Sequence, residues 1–139
     1  MDQRIRDVMT SQLVTLPPEA TLVEAAAKML DHGIGDVLVV ADGRLYGIVT
    51  DRDIVLRAVA AGRVAQETAV AEVCSVDVTC VSPDEDAERV ASLMRIRSVR
   101  RMPVVEDGEL VGVVSLGDLA MHQDPSSALA DISAAPDKN

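Results

Sequence analysis

Aromatic side chains are almost absent: the sequence has no Phe and no Trp, and Tyr46 is its one tyrosine. A chain without aromatic platforms cannot stack successive bases, which disfavours binding of single-stranded nucleic acid. Basic residues are also scarce, because 13 Lys and Arg face 23 Asp and Glu, for a net charge of -10. That sign disfavours a phosphate backbone as partner. A ring-shaped ligand would have to lie between aliphatic side chains.

Other absences narrow the protein class further. No apolar run approaches the roughly 20 residues of a membrane span, and the opening MDQRIRDVMTSQ lacks the apolar stretch of a secretory signal. Cys74 and Cys80 are too few for a disulfide framework and lack the pairing and His partners of a zinc site. We therefore expect a cytoplasmic protein with reduced thiols and no metal site. Cys80 lies in a strand-like stretch, where a buried thiol is expected.

What the sequence does contain is an internal repeat, seen when the chain is shifted against itself by about 65 residues. The matching residues occupy turns and core positions: Val39, Val40, Asp42, Gly43, Leu45, Gly47, Val49 and Asp53 match Val104, Val105, Asp107, Gly108, Leu110, Gly112, Val114 and Asp118. The repeat predicts two folding units, 1–66 and 67–123, joined by a linker over 62–69. Residues 124–139 are predicted to be a polar, flexible tail.

Each unit shows the same local signals. A short β-branched stretch, 13–16 or 78–81, precedes a helix that in the first unit starts at Thr21, with Glu24 completing a capping box, and stops at Gly33. Two strands around Asp42-Gly43 then predict a hairpin, which recurs in the second unit. A second helix follows. The sequence thus predicts an α/β (α+β) fold of two βαββα units that pack through their sheets.

The chemically suggestive motif stands where the last strand runs into the second helix. It reads GIVTDRD over 47–53 and GVVSLGD over 112–118, so a hydroxyl is followed three residues later by a carboxylate. A helix N-terminus attracts phosphate, and an Asp beside it can accept hydrogen bonds from ribose hydroxyls. The same spacing is also an ordinary helix cap that needs no ligand. Both interpretations remain open at this point. No P-loop, nucleophile elbow or metalloprotease motif occurs, and we expect no enzymatic activity.

The two gap-free repeats, each ending in this motif after an Asp-Gly hairpin, resemble a tandem pair of CBS domains (the cystathionine β-synthase domain, paired as a Bateman module). The resemblance covers about residues 5–122 and is closest to the small stand-alone two-CBS proteins of prokaryotes. It implies pseudo-twofold symmetry and clefts between the units that bind adenosyl compounds such as AMP, ADP, ATP or S-adenosylmethionine. It also implies a homodimer formed through helices, and no obligatory cofactor.

The resemblance further implies a set of ligand-binding residues. Ribose and phosphate contacts fall on Thr50 with Asp53 and on Ser115 with Asp118, and base-lining aliphatic side chains fall on Ile34, Val37, Val99 and Met102. Turn residues that could contribute are Leu16, Pro17, Val81 and Ser82. The basic residues near the phosphates are Arg100 and Arg101, with Arg52 as a substitute in the first unit.

The two clefts are expected to differ, because Gly35-Asp36 stands in the first unit where Arg100-Arg101 stands in the second. Guanidinium groups suit phosphate oxygens, whereas a carboxylate repels them. We therefore expect the second cleft to prefer a phosphorylated nucleotide. The first is expected to be weaker, empty, or filled by a less charged adenosyl ligand. An arginine-rich, solvated helix end in an acidic chain is the competing explanation.

The overall expectation is a regulatory or sensor module that binds an adenosyl nucleotide and transmits occupancy through a dimer or a partner protein. The alternative is an interaction or scaffold protein that keeps the fold without binding nucleotide. The apolar helix residues considered either for dimer contacts or for the core are Ile54, Val55, Ala58, Val59 and Leu93.

Overall fold

Both repeats fold into the same succession of elements in a computed structural model, which describes residues 3–123. In chain order the elements are α1 (Ile5–Val8), β1 (Thr15–Leu16), α2 (Leu22–His32), β2 (Asp36–Ala41), β3 (Arg44–Thr50), α3 (Asp51–Asp53) continued by a π-helical segment (Ile54–Val59), two 3₁₀ turns (Ala65–Glu67 and Val70–Glu72), α4 (Ala87–Arg97), β4 (Arg101–Glu106), β5 (Glu109–Ser115) and α5 (Leu116–Gln123). The tail predicted for 124–139 lies outside the described residues.

Local signals in the sequence account for the first unit. Thr21 accepts a hydrogen bond from the Glu24 amide at 3.2 Å, while the Glu24 carboxylate accepts one from the Thr21 amide at 2.7 Å. Gly33 ends α2 in the left-handed conformation. Asp42 and Gly43 both have positive φ, as a tight hairpin turn between β2 and β3 requires. In the sheet of this unit, β1 runs parallel to β2 and β2 antiparallel to β3.

The second unit repeats this plan with a smaller sheet. β4 and β5 form an antiparallel hairpin through Asp107 and Gly108, which also have positive φ. The strand predicted over 78–81 is reduced to one parallel bridge from Val81 to Val104. Each unit has its own apolar core, with Leu22, Val39 and Val49 in the first and Met94, Val104 and Val114 in the second. The mixed α+β fold of two like units is confirmed.

The structure divides the described residues differently from their order along the chain. Residues 14–78 form one compact unit, whereas 3–13 join 79–123 in the other. In the second unit Thr10 pairs with Val113 through amide-to-carbonyl hydrogen bonds of 2.8 and 2.9 Å. In the first unit Ser75 pairs with Ile48 in the same way, at 2.8 and 2.9 Å. We call 3–13 and 63–78 the exchanged segments, since each precedes one repeat in sequence and packs in the unit of the other.

The exchanged segments supply part of each core. Ile5 is fully buried in the second unit, and Val70 and Val73 are fully buried in the first. The stretch predicted as a linker, 62–69, therefore leads into structured chain: the Leu22 amide donates to the Thr68 carbonyl at 3.0 Å. This differs from the predicted unit boundary at 66/67, because the pairing that places these residues is distant in sequence.

One cysteine expectation is wrong. Cys80 is exposed, whereas Cys74 is the buried thiol and packs in the first core. The neighbouring Val81 takes the inward position of this stretch, which leaves Cys80 on the outside. Among the described helices, none has the length and apolar composition needed to cross a bilayer.

Candidate functional site

The candidate site consists of two equivalent strand-to-helix junctions, residues 50–53 and 115–118, which we call the first and second corner. At the first, the Thr50 hydroxyl accepts a hydrogen bond from the Asp53 amide at 3.0 Å, and the Asp53 Oδ2 accepts one from the Thr50 amide at 3.0 Å. At the second, the Ser115 and Asp118 side chains form the same pair of bonds, at 2.9 and 3.0 Å. Both corners are therefore complete capping boxes.

Capping leaves part of each side chain's bonding capacity unused. A hydroxyl that accepts one hydrogen bond still has its own hydrogen to donate, and a carboxylate that accepts through Oδ2 still has Oδ1. The Oδ1 of Asp53 lies 3.8 Å from the Nε of Arg57, and the Asp53 side chain is 13% exposed. The cap and a ligand contact are therefore compatible at either corner.

The neighbouring strand places opposite charges beside the two corners. Asp36 is the register partner of Thr50, and Arg101 is the register partner of Ser115. Both sit at the first position of their strands, and Arg100 precedes Arg101 on the exposed surface. The charge difference expected from the sequence thus falls next to the capping hydroxyls. Arg52, also exposed, lies within the first corner itself.

A second carboxylate at the first corner was not anticipated from the sequence. The Asp51 Oδ1 accepts a hydrogen bond from the Arg52 amide at 2.8 Å, and its Oδ2 would stand 3.0 Å from a Cβ placed on Gly35. The signal was present in the repeat, since Asp51 aligns with Leu116 and Gly35 with Arg100. Only the structure shows that the Asp51 carboxylate turns back onto its own helix start.

Arg57 is another residue that sequence reasoning missed. Its Nη1 donates to the Val73 carbonyl at 3.2 Å, in addition to the approach of its Nε to Asp53. The i, i+4 spacing from Asp53 is the signal that could have suggested the ion pair. Arg57 thus joins the first corner to the exchanged segment of that unit.

The four aliphatic residues expected to line a base divide into two kinds. Val37 and Met102 are each 1% exposed and belong to the two cores. Their side chains are reached only by displacing other core residues. Ile34 is half-buried and Val99 is 37% exposed. A ligand at the surface would therefore meet Ile34 and Val99 first.

The turn residues expected to contribute are placed similarly. Leu16 and Val81 are buried in the two cores, whereas Pro17 and Ser82 are exposed. The Ser82 hydroxyl accepts a hydrogen bond from the Asp84 amide at 3.2 Å. Of these four turn residues, Pro17 and Ser82 are the two that present side chains at the surface.

The glycine that opens each motif is required by packing. A Cβ on Gly47 would stand 2.5 Å from the Ser75 carbonyl oxygen and 3.1 Å from the Cys74 sulfur. A Cβ on Gly112 would stand 2.7 Å from the Met9 sulfur and 3.0 Å from the Thr10 carbonyl oxygen. The exchanged segments approach β3 and β5 so closely that a side chain has no room there.

Cys74 lies close enough to the first corner to respond to its charge. Burial raises the pKa of the Cys74 thiol above its ordinary value, and the negative charge of Asp53 raises this pKa further. Cys80 is exposed, but neighbouring atoms partly shield its thiol from water, and this partial desolvation raises the pKa of the thiol above its ordinary value. Within residues 3–123, no group of three or more His, Cys, Asp or Glu side chains is arranged to hold a metal ion.

Comparison with known proteins agrees with the resemblance found in the sequence. The family model of the CBS domain matches residues 5–59 and 70–124. The CBS domain-containing protein YhcV of Bacillus subtilis is 43% identical over 133 residues, which span 93% of this chain and 94% of that protein.

Two solved structures show the same fold. The CBS-domain containing protein ATU1752 from Agrobacterium tumefaciens aligns with a TM-score of 0.75 and 29% identity over 88% of this chain and 95% of its own. The CBS domain pair of protein MJ0100, in complex with 5′-methylthioadenosine and S-adenosyl-L-methionine, aligns with a TM-score of 0.77 and 25% identity. That alignment covers 91% of this chain and all of that pair.

Proposed function

The chain belongs to the family of CBS-domain proteins, as two copies of the domain, and we propose that it is a regulatory module that binds an adenosyl nucleotide at its strand-to-helix corners. The ligand class is AMP, ADP, ATP or S-adenosylmethionine. The module acts in the cytoplasm, requires no cofactor and catalyses no reaction. It transmits occupancy because a ligand that prefers one conformation shifts the population toward it.

The observation that carries this proposal is the state of the capping boxes. Each keeps a hydroxyl hydrogen and a carboxylate oxygen beyond those used for the cap, and at the first corner that oxygen faces Arg57 at 3.8 Å. A ribose presents two adjacent hydroxyls, which suit a carboxylate oxygen, and a phosphate suits the hydroxyl and the helix start. The adenosyl ligands of the MJ0100 domain pair support the same class of ligand.

The same capping boxes favour a second candidate function, that of a scaffold. The corners are stable without any ligand, because each capping side chain accepts a hydrogen bond from a backbone amide of its own corner. These side chains are Thr50, Asp53, Ser115 and Asp118. A scaffold that holds partner proteins and binds no nucleotide would need nothing more. The two candidates differ in whether Asp53 and Asp118 serve the cap alone.

Calorimetric titration with AMP separates the candidates when capping is controlled. We expect Asp118→Ala to lower stability by about 1 kcal/mol through loss of the cap and also to lower AMP affinity. The matched control is Glu24→Ala, which breaks the same kind of box at the start of α2. It should cost similar stability and leave AMP affinity unchanged.

The outcomes are distinct. Equal AMP affinity in Asp118→Ala and wild type would show that the corner is a cap only. If AMP, ATP, S-adenosylmethionine and 5′-methylthioadenosine all fail to stabilise wild type, the scaffold candidate stands. A true ligand at about 100 times its dissociation constant stabilises by roughly 2.7 kcal/mol, which a thermal unfolding curve resolves.

The exposed apolar residues of the first unit support self-association as the means of transmission. Val55 and Val59 are 53% and 66% exposed on the helical segment that follows the first corner. Ile54, Ala58 and Leu93, considered for the same role, pack in or against the cores. We propose a homodimer in which Val55 and Val59 are buried. Partner proteins that read the dimer belong to the same proposal.

A further inference from the structure

The exchanged segment 3–13 completes the second unit through contacts at both of its ends. The Ile5 amide donates to the Glu85 carbonyl at 2.9 Å, and the Ile5 side chain is fully buried in the second core. Thr10 and Val113 exchange two backbone hydrogen bonds along β5. Without this segment the second core would lose a buried side chain, and β5 would present an unpaired edge at Val113. The second unit therefore requires an occupant at this place.

The charges of the segment and of its contact surface are complementary. The Arg6 Nη2 lies 2.6 Å from the Asp84 Oδ1 and 3.4 Å from the Glu106 Oε2. The Arg4 Nη1 donates to the Asp84 carbonyl at 3.0 Å. We call the residues of the second unit that contact the segment the seat: 83–87, 106 and 113. Because the seat combines a hole for an isoleucine, an acidic surface for arginine and a strand edge, the occupant it fits is a segment with the sequence of 3–13.

The first unit does not depend on this segment. The residues of the first core lie within 14–78. Thr10 pairs in the second unit, whereas the Val14 carbonyl accepts a hydrogen bond from the Leu38 amide in the first, at 3.1 Å. Residues 11–13 therefore form a short connection between the two. Short connections of this kind act as hinges at which identical elements exchange between protomers.

We propose that the seat is an interface between copies of this chain, in which the segment 3–13 of one copy occupies the seat of a second copy and the reverse. Such an exchange keeps every contact described above, because the two occupants are identical. The resulting dimer has second cores built from residues of both chains. This inference goes beyond the proposed function, and it requires neither a nucleotide nor the exposed Val55 and Val59.

Concentration decides which segment occupies the seat. The connection 11–13 holds a chain's own segment near its seat at an effective concentration on the order of 1 mM. Dilute protein therefore keeps its own segment, and sedimentation of dilute protein reports only the contact of Val55 and Val59. Chains that fold close together at such a local concentration exchange their segments. The product then persists, because reversal requires each segment to leave its seat again.

A disulfide between the paired residues reports which segment occupies the seat. Backbone-paired residues of antiparallel strands have Cα atoms about 5.5 Å apart, within the reach of a disulfide. In a Cys74→Ala, Cys80→Ser background, the double variant Thr10→Cys, Val113→Cys is unfolded in urea, refolded and oxidised in air. We expect the disulfide to form within chains after refolding at about 1 µM and, for about half of the protein, between chains at about 1 mM. Non-reducing electrophoresis separates the two products.

Mixtures of single-cysteine chains provide the matched control. Chains with Thr10→Cys, refolded together with chains carrying Val113→Cys at about 1 mM, should give a disulfide that joins these two positions, as identified by peptide mass spectrometry. Chains with Thr10→Cys should not join to chains carrying Ile48→Cys, because Ile48 is the equivalent half-buried position of the first unit and pairs with Ser75. Equal joining in the two mixtures, or a disulfide of the double variant that stays within chains at every concentration, would overturn the proposal.

Reversed charges test the same exchange at low salt and lower concentration. A chain with Arg6→Glu repels its own Asp84, and a chain with Asp84→Arg repels its own Arg6. Mixed chains of the two kinds restore opposite charges at both seats only by exchanging segments. When Arg6→Glu accompanies Thr10→Cys and Asp84→Arg accompanies Val113→Cys, we expect the joined fraction to rise several-fold over the mixture with wild-type charges. Placing both charge reversals in every chain should return it to the wild-type level, and an unchanged fraction in the first mixture would contradict selection of the occupant by charge.

Discussion

Single residues decide how closely the chain approaches itself beside the corners. The sequence analysis considered the motif as a ligand site or a helix cap and gave its glycine no role, yet this glycine serves packing: at Gly47 the Ser75 carbonyl occupies the space of a side chain. The obstructing atom belongs to the backbone, so relief requires the exchanged segment to move. At Gly112 the nearest atom is the sulfur of a flexible methionine, Met9.

Gly47→Ala should therefore destabilise the protein more than Gly112→Ala. We expect a loss of about 2 kcal/mol or more for Gly47→Ala, the range of overpacked sites, and a smaller loss for Gly112→Ala. The free energy of unfolding in urea measures both. Equal losses would contradict the assigned clashes, and the same substitution at Gly43, where a Cβ meets nothing within 4 Å, reports the cost of positive φ alone.

At this scale the sequence predicted residue types and could not predict where their atoms point. The hydroxyl–carboxylate pairs of both corners were identified together with the two roles open to them, and the cap is the role that the structure displays. Asp51 was overlooked because its charge gives no indication that the carboxylate folds back onto the Arg52 amide. Val37 and Met102 were expected to line a base, but both occupy core positions. The alternation of residues along a short strand does not reveal how deeply the strand is buried.

Among the elements, those with local signals were predicted and those made by distant pairing were not. The Thr21 box, the Gly33 stop and the Asp-Gly hairpins each depend on a few neighbouring residues, and all are confirmed. The 3₁₀ turn Val70–Glu72, just beyond the predicted linker, was not predicted. Its position depends on a hydrogen bond that the Val70 amide donates to the Ala20 carbonyl, a residue far away in sequence. No sequence period encodes such a contact.

We expect that turn to make the stability of the protein sensitive to acid. The Ala69 amide, and then Arg63, lower the pKa of Glu72 below its ordinary value of 4.5. A carboxyl whose pKa is lower in the folded than in the unfolded state binds fewer protons when folded. Its contribution is present above the unfolded pKa and is lost as the pH falls through the folded one.

We accordingly expect Glu72→Gln to reduce the acid dependence of stability. The free energy of unfolding measured from pH 7 down to pH 3 should fall less steeply below about pH 4.5 in the variant than in wild type. Glu19→Gln is the control, because Glu19 is exposed and has no hydrogen-bond or ion-pair partner within residues 3–123. Parallel pH curves for Glu72→Gln and wild type would show that the turn makes no such contribution.

The whole molecule consists of two units. The core of each unit includes residues from a segment that precedes the other repeat in sequence. Ile5 completes the second core, and Val70, Val73 and Cys74 complete the first. The division of the described residues into 14–78 and 3–13 with 79–123 follows from these contacts, whereas sequence order suggested a boundary at 66/67.

Fragments test this division directly. A fragment of residues 14–78 keeps the whole first core and should unfold cooperatively in urea. A fragment of residues 1–66 is of similar length but lacks Val70, Val73 and Cys74, so we expect no cooperative transition. Cooperative unfolding of 1–66 with equal or greater stability would support the boundary at 66/67 instead.

Self-association is tested at the same scale. If Val55 and Val59 are buried in a homodimer, Val59→Asp should give a monomer by sedimentation velocity, because burying an unpaired charge is costly. Its fold should persist, since Val59 is exposed in the single chain. Ala58→Asp is the contrasting variant and should unfold the first unit. A Val59→Asp protein that sediments as wild type would place the contact elsewhere.

The pairing of Thr10 with Val113 also sets an order of events on the ribosome. At about 5 to 20 residues per second, the partner of Thr10 is synthesised roughly 5 to 20 s after Thr10 itself. Residue 78, the last residue of the first unit, is synthesised 35 residues before Val113, so the first unit has all of its chain first. Residues 3–13 are thus made before the first unit and take their place after it, and neighbouring chains on one messenger have that interval in which to exchange these segments.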